Sequence, residues 1–528
     1  MAATVVRSRI LRDTYRDSVE LMRVAAEVER LPGVRRAALL VATPANCDVL
    51  KSAGLLDEAA AAARPSDLIV AVAGDDTTAA EAALARATVL LTTATEAAVG
   101  SSARTAPATI AQAVAEDPAA NLVLVSTPGP YATAEALKAL KRGLHVFLFS
   151  DNVSVADELE LKRLAIRKRL LVMGPDCGTA ILDGVPLGFA NAVRRGRIGL
   201  VGASGTGLQQ VVCLIDRLGA GISQAIGVGG RDLDERIGGL MMLAALDRLA
   251  EDADTAVIVL ISKPPSPVVG QCVLERARTA KKPIVVCFLG GDPAVVVAAS
   301  ATPAATLEDA AVLAVKLAGG SPSGAGVATE DEGDLVKAVL ARAARLAPSQ
   351  RAIRGLYSGG TLAYEAALLL KEALPDSEAR RVHSLLDLGD NEFTVGRPHP
   401  MIDFRLRNER IAATAEDPAT AVVLLDVVLG YGSHPDPAGE LSPVLEASRK
   451  RAARAERELI VIGSVCGTTG DPQGLTGQEA RLSAAGVLLA PSNARAAANP
   501  RKLPISACEA LAPLQKAAAI SIPIRKPT

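Results

Sequence analysis

Tryptophan is absent from the 528-residue chain, and aromatic residues of all kinds make up 2% of it. Single-stranded nucleic acid is held on stacked rings, and those are scarce here. There is no excess of charge of one sign either. The chain has 57 Lys and Arg against 58 Asp and Glu, a net charge of −1, so it lacks the basic surface that releases counterions from a phosphate backbone. The seven cysteines, at 47, 177, 213, 272, 287, 466 and 508, include no C-x-x-C pair, which excludes a disulfide framework and a zinc site. Mean hydropathy is +0.27, yet no apolar run reaches the ~18–20 residues of a spanning helix. The longest, Thr255–Ser262 and Ala421–Leu429, have strand length. The opening MAATVVRSRILRD carries charges every few residues and has no signal-peptide core. These absences predict a cytoplasmic protein with reduced thiols that uses neither nucleic acid nor membrane.

What the sequence does contain is aliphatic: hydrophobic residues are 49% and charged residues 22%. A core of Ala, Val, Leu and Ile suits parallel α/β sheets, and the length suggests several domains at ~100–200 residues each. Residues 1–92 read as a small α/β module without evident chemistry, a regulatory or assembly element. Over residues 93–193 strands at Asn121–Ser126, Leu144–Ser150 and Leu170–Met173 alternate with helices at Ala132–Arg142 and Ala156–Lys168, the pattern of a parallel sheet. Residues 194–325 continue the style. The Gly- and Ser-rich stretch at 319–333 reads as a linker, and residues 326–528 then replay the preceding domain. IGLVGASGTGLQQVV (198–212) is echoed by RGLYSGGTLAYEAA (354–367), and AIGVGGRDL (225–233) by SLLDLGDNEF (384–393). AVIVLISKPPSP (256–267) is echoed by AVVLLDVVLGYG (421–432), and PIVVCFLGGDP (283–293) by LIVIGSVCGTTGDP (459–472). Four blocks in one order predict a duplicated domain.

Ligands of parallel sheets bind beyond the carboxyl ends of the strands, so the loops there hold the candidates. Ser204, Gly205 and Thr206 lie between a strand and a helix. Glycine admits close approach, and the helix N-terminus offers free N–H groups and a positive dipole end. The bland reading is a tight turn with Ser or Thr as N-cap. It is not a Walker loop, since no Gly-Lys-Ser/Thr follows. Gly359, Gly360 and Thr361, after Ser358, repeat the arrangement, and two such loops face to face would hold a phosphate from both sides. The densest polar segment, Asp387 to Arg407, offers Asp390, Arg397, His399 and Arg405. Either arginine suits a bidentate clamp on carboxylate or phosphate. The bland reading is an ion-pair cluster at a domain interface. Of four histidines, His145 and His383 read as structural, whereas His399 and His434 lie on loops and are the acid/base candidates. Asp426, inside an apolar run, needs a partner; it marks either a site or the end of its strand. The loop Cys466–Asp471 has Gly and Thr suited to an oxyanion, and Cys466 as a nucleophile lacks an evident base. Asp390, Glu392, Asp403 and Asp436 are candidates for Mg²⁺, without a spacing rule to support them.

Residues 105–295 resemble the α subunit of succinyl-CoA synthetase, through VLVSTPGPYATAEAL (123–137), DELELKRLAIRKRLLVMGPDCGTAIL (157–182), RIGLVGASGTG (197–207) and GVGGRDL (227–233). Residues 350–495 resemble the ligase half of its β subunit, through SLLDLGD (384–390) and AVVLLDVVLG (421–430). The segments GLYSGGTLAYEA, LLDLGDNEFTVGRPHPMID and VVLLDVVLGYGSHPDPAG look like the FdrA family. The resemblance implies a Rossmann-like CoA-binding-type domain at 93–193, with Thr127, Pro128 and Gly129 in its pocket. Two flavodoxin-like CoA-ligase domains then follow at 194–325 and 326–528. It implies two helix N-termini facing one phosphoryl group, at Ser204–Thr206 and Gly359–Thr361.

The departures are specific. The phosphohistidine of the ligases has no counterpart in Leu289-Gly290-Gly291-Asp292-Pro293, and the Glu that supports it is replaced by Ser262-Lys263-Pro264. No stretch remains for an ATP-grasp domain, and the Gly-rich first turn of the CoA domain is missing. What the resemblance leaves is an acyl-phosphate-handling subunit, with carbamoyl transfer between carbamoyl phosphate and oxamate in ureide and purine breakdown as the leading expectation. The alternatives are an ADP-forming acyl-CoA ligase whose nucleotide site comes from a partner, and a non-catalytic CoA- or metabolite-sensing scaffold. CoA and Mg²⁺ are the cofactors left open. The expected partners are a small acyl phosphate, a carboxylate substrate, and either other subunits or further copies of the chain.

Overall fold

A computed structural model describes residues 4–14, 16, 18–99, 107–321, 329–373, 383–394 and 398–497. The chain divides into two units, Met1–Ala108 with Asn391–Pro398, and Thr109–Asp390 with His399–Thr528.

The first unit contains β1 (Val5–Leu11), α1 (Ser18–Glu29), β2 (Val34–Val41), α2 (Pro44–Ser52), α3 (Glu58–Ala61), β3 (Leu68–Gly74) and α4 (Thr77–Val99). Its sheet is antiparallel, in the order β1-β3-β2. The central strand, β3, is wholly buried, and alternation along it builds two cores. Leu68, Val70 and Val72 pack with Leu21, Val28 and Leu84 of α1 and α4. Ile69 and Ala71 pack with Leu50, Leu55 and Ala60 on the other face.

The second unit opens with α5 (Ile110–Glu116), β4 (Leu122–Val125), α6 (Gly129–Lys141), β5 (His145–Leu148), α7 (Val155–Lys168) and β6 (Val172–Met173). These form a parallel three-stranded sheet, β4-β5-β6. The hairpin β7 (Thr179–Leu182) and β8 (Val185–Gly188) follows that sheet and joins the next.

The first ligase-like half comprises β9 (Arg195–Gly202), α8 (Gly205–Arg217), β10 (Ile222–Gly227), α9 (Leu240–Glu251), β11 (Val257–Ser262), α10 (Pro267–Thr279), β12 (Ile284–Phe288), α11 (Pro293–Ala298), β13 (Thr302–Pro303) and α12 (Leu307–Leu317). The second half comprises α13 (Thr329–Ala343), β14 (Ala352–Tyr357), α14 (Gly360–Ala373), β15 (Ser384–Asp387), α15 (Asn391–Thr394, in the segment grouped with the first unit), α16 (Arg405–Glu416), β16 (Thr420–Val428), α17 (Pro437–Arg454), β17 (Ile460–Cys466), α18 (Leu475–Ala484), β18 (Leu488–Ala490) and α19 (Asn493–Ala496). The linker expected at 319–333 has turned helical by Thr329, and residues 322–328 lie outside the described set.

The duplication is written in the topology. One sheet contains β10-β9-β11-β12-β13 and the other is β15-β14-β16-β17-β18. Both therefore run second, first, third, fourth, fifth, the flavodoxin-like order, whose switch point lies beside the first strand. In each half the loop after that strand is the glycine loop singled out in the sequence. β11, β12, β16 and β17 are buried along their whole length, because helices cover both faces of a parallel sheet. The halves share one core, in which Leu208, Val211 and Leu214 of α8 lie with Leu362 and Ala366 of α14 and Cys466 of β17. Arg217 ties them further, donating to the carbonyls of Val465 (2.6 Å) and Gly467 (2.9 Å). Among the described residues no helix is long and apolar enough to cross a membrane.

His145 and His383 are structural, as expected. Each Nδ1 accepts a backbone N–H at 3.0 Å, from Leu171 and Ile353 respectively. A fully buried ammonium holds α7 to the first ligase sheet. Lys162 Nζ donates to Glu158 Oε1 (2.8 Å), Asp232 Oδ1 (2.7 Å) and the Val228 carbonyl (3.0 Å). Asp232 in turn accepts the N–H groups of Met241 and Met242 at the start of α9. Removing one partner of a buried ion network leaves an uncompensated charge. Lys162→Met is therefore expected to lower stability by about 3–5 kcal/mol; a urea-unfolding free energy within about 1 kcal/mol of wild type would contradict this role.

Candidate functional site: two helix N-termini and a buried carboxylate

Ser204 caps α8, its Oγ accepting the Gly207 N–H at 3.0 Å. Its hydroxyl also meets the Thr361 hydroxyl at the start of α14, with 2.6 Å between the oxygens. The Thr361 N–H points at Thr206 Oγ1 at 3.4 Å. The two glycine loops, 157 positions apart in sequence, are thus one structure. All three hydroxyl residues are buried, while Gly205 and Gly360 keep partial exposure. First-turn amides have no carbonyl to bond within their helix, so both helices present donors and positive dipole ends to one place.

Asp426 organises the α14 side. It lies within β16 rather than at the strand's end, and it is fully buried. Its carboxylate accepts from Ser358 N–H (2.8 Å), Ser358 Oγ (3.1 Å), Gly359 N–H (2.7 Å) and the Arg407 guanidinium (2.8 Å). Arg407 is equally buried and also donates to the Asp426 carbonyl. Burial pushes the Arg407 guanidinium down and Asp426 pulls it back up.

Three further charged groups stand at strand ends around the cradle. Asp387 closes β15. Its Oδ1 accepts Gly389 N–H at 3.0 Å, and its Oδ2 lies 2.2 Å from where a Gly360 Cβ would be. Any side chain at position 360 would displace that carboxyl. Burial raises Asp387 to about 6, against the pull of Lys263. Asp176, after β6, faces water yet is so surrounded by protein that desolvation, aided by Asp151, takes it to about 6; Arg231 and Lys263 oppose this. Lys263 follows β11 and is exposed, its Nζ 5.8 Å from the centre of the Tyr364 ring.

The expected site residues divide. His399 lies beside Gly389, its Nε2 2.8 Å from that glycine's notional Cβ, and its ring packs on Phe189 at 5.5 Å. Burial lowers it to about 4, and Nδ1 accepts Met401 N–H at 3.3 Å. At neutral pH it is an uncharged imidazole with its proton on Nε2, suited to donating a hydrogen bond rather than taking a proton. His434 is bound into local structure: Nδ1 accepts Asp436 N–H at 3.1 Å and the ring meets Phe404 edge-on. No described hydrogen bond joins its side chain to the glycine loops. Arg405 is engaged by Asp403, two residues away. Arg397 lies outside the described residues. Asp390 is exposed, and its N–H donates to the Asp387 carbonyl.

Thr127 and Pro128 lead into α6, which starts at Gly129. A Cβ on Gly129 would sit 2.3 Å from the Asp151 carbonyl oxygen, so only glycine fits. Thr127 Oγ1 is buried with no partner. The Cys466–Asp471 loop is structural. Asp471 accepts from Asn191 Nδ2, Ala192 N–H and Thr468 N–H, and Cys466 is buried with its Sγ 4.0 Å from Cys213 Sγ. The Mg²⁺ set does not assemble: Asp403 pairs with Arg405 and Asp436 with Arg481, and no three His, Cys, Asp or Glu come together among the described residues.

The sequence reading passed over Lys263 and Asp176 as site residues and left Asp426 undecided. The available signal was position: each lies at or near the carboxyl end of a parallel strand, where ligands bind.

Duplicated flavodoxin-like halves with facing helix N-termini define a succinyl-CoA-synthetase-like member of the acyl-CoA synthetase superfamily. Family models match at residues 356–503 (CoA-ligase), 193–290 (CoA binding domain) and 3–107 (AllF, heavy metal-associated domain). The chain is 44% identical over 496 residues to the uncharacterized protein YahF of Escherichia coli K12, spanning 91% of this chain and 95% of that one, and it belongs to that protein's family. It is 27% identical over 182 residues to the α subunit of a succinate–CoA ligase (ADP-forming) of Staphylococcus epidermidis, covering 33% of this chain and 58% of the relative. A solved ATP citrate lyase from Methanothrix soehngenii, with citrate and coenzyme A, aligns over 78% of this chain and 83% of its own, at 12% identity and a TM-score of 0.35. The heavy-metal description does not fit the residues present. Positions 3–107 hold no histidine and one cysteine, Cys47, which is half-buried with its thiol pushed up by burial.

Asp426→Ala would strand the buried Arg407 charge and release the Ser358–Gly359 turn. The expected loss is about 3–5 kcal/mol. Replacing both members with apolar residues (Asp426→Leu with Arg407→Met) should recover stability without restoring the turn. Equal instability of the single and double variants in urea unfolding would refute the pairing.

Proposed function

We propose that this chain is an FdrA-type subunit that handles an acyl phosphate, transferring the carbamoyl group between carbamoyl phosphate and oxamate in ureide and purine nitrogen breakdown. The observation that carries the reading is the 2.6 Å contact between the Ser204 and Thr361 hydroxyls, which brings two helix N-termini to one point. A doubly charged phosphoryl group suits paired positive dipole ends. The phosphohistidine of the ligases is absent after β12, where Leu289, Gly290 and Gly291 stand, so chemistry that starts from a ready-made acyl phosphate fits the residues better than chemistry that makes one from a nucleotide.

In this reading the phosphoryl oxygens take hydrogen bonds from the Thr206 hydroxyl, from the one hydroxyl of the Ser204–Thr361 pair that does not donate to the other, and from the amides of Gly205 and Gly360. The Gly359 amide is committed to Asp426 and shapes the turn. His399 Nε2–H, held in one tautomer, donates to the polarised carbonyl oxygen of the acyl group. Arg397 remains the candidate for the oxamate carboxylate, Arg405 being engaged by Asp403. The protein partners in this reading are other subunits or further copies of the chain.

A second reading, an acyl-CoA ligase subunit completed by a partner, has one observation in its favour: the unpartnered Thr127 Oγ1 beside the N-terminus of α6. Thr127 and the first-turn amides there would hold an anionic part of CoA, and CoA would supply the acyl-accepting thiol.

Thermal melting separates the two. Carbamoyl phosphate at a hundredfold over its dissociation constant should stabilise the protein by about 2.7 kcal/mol. The shift should vanish in Ser204→Ala with Thr361→Val, and oxamate should be carbamoylated by the assembled protein. A shift with CoA alone, and none with carbamoyl phosphate, would put the ligase reading in its place.

A further inference from the structure

Lys263 and Asp387 come from opposite halves of the duplication and meet at the same helix. Tyr364, over whose ring the Lys263 ammonium lies at 5.8 Å, is one turn into α14. No carboxylate forms a direct ion pair with Lys263 among the described residues, and its charge acts at longer range on both Asp387 and Asp176. The Asp387 carboxyl touches Gly360 at the N-terminus of that helix, with Oδ2 2.2 Å from the notional Cβ. An oxyanion arriving there meets a carboxyl group already in place. Two anions share so small a volume only if a proton or a cation stands between them.

We infer that Asp387 and Lys263 form a proton-linked anion clamp: an oxyanion binds at the N-terminus of α14 together with one proton, held by Asp387, and takes the Lys263 ammonium as its counter-ion. The inference rests on reading the two glycine loops as a phosphoryl cradle and does not need the carbamoyl transfer. It gives a role to the lysine that stands where the ligases have a supporting glutamate, and it makes Asp387 a hydrogen-bond donor to the ligand, as a protonated carboxyl can be at an anion site.

The charges facing Asp387 set the direction. Burial raises it to about 6; Lys263 lowers it, and Asp390 and Asp426 raise it. His399, across Gly389, is uncharged above about 4 and adds no cation there. Asp176 faces Asp151, Glu158, Arg231 and Lys263 and also stands at about 6, so it titrates in the same window and serves as a control. A bound anion raises Asp387 further. Affinity is then greatest below about pH 6 and falls by up to about tenfold per pH unit above it.

The test is calorimetric titration of the full chain with sulfate, an oxyanion that does not itself titrate over about pH 5.5–8, with melting curves confirming that each variant folds. Wild type should lose sulfate affinity by up to about tenfold per pH unit across about pH 6–8. Asp387→Asn, which keeps the acceptor for Gly389 N–H, should bind with a flat profile. Lys263→Gln should bind at least about tenfold more weakly throughout, and Asp176→Asn should keep the slope. A flat wild-type profile, a slope that survives Asp387→Asn, or a slope lost only in Asp176→Asn overturns the clamp. Absence of sulfate binding overturns both the clamp and the cradle. Proton-linked sulfate binding without carbamoyl transfer leaves the clamp standing and removes the functional reading; transfer with pH-independent sulfate binding does the reverse.

Discussion

One buried carboxylate holds the second glycine loop in shape. Asp426 sits within an apolar strand, excluded from water, and the donors around it hold it in one orientation: the Arg407 guanidinium from α16 and the Ser358 and Gly359 amides from the turn before α14. Such a group is expensive to bury alone and strongly oriented once paired. The consequence is that the N-terminus of α14 is fixed relative to β16. Because α14 and α8 share a core, it is fixed relative to the other glycine loop as well. The 2.6 Å contact between Ser204 and Thr361 depends on that chain of restraints.

The two halves reach the same geometry by different means. In the first, Ser204 caps its own helix through Gly207 N–H, and Ile261 stands where the second half has Asp426, its carbonyl accepting the Ala203 N–H. In the second, the neighbouring strand's carboxylate holds the turn before the helix through the Ser358 and Gly359 amides, leaving the Thr361 hydroxyl to face across. Duplication supplied two equivalent strand-to-helix turns, and divergence made one self-capped and the other externally held. The charges gathered around them, Lys263 from the first half and Asp387 from the second, repeat the asymmetry.

The repeated topology was readable from the sequence because buried parallel strands are continuous apolar runs and the four blocks recur in one order. The glycine loops were readable because their residue types have few other uses at a strand end. The content of the Asp387–Arg407 segment was not. Its density of Arg, His and Asp suggested convergence on a ligand, but Asp403 and Arg405 are consumed by each other, and Arg407 turns inward to a carboxylate 19 residues away. Local density and local pairing look alike in one dimension. Lys263 and Asp176 were missed for the opposite reason: each lies in a segment marked for its resemblance rather than for a charge cluster, and only the packing of strand ends collects them.

The central claim is that both helix N-termini serve one phosphoryl group. A high-resolution crystal structure of the protein with inorganic phosphate tests it most directly. The account predicts a single tetrahedral ion with oxygens within hydrogen-bond distance of the Gly205 and Gly360 amides at once. Phosphate bound to one helix alone, or at another place with both amides left to water, would contradict it.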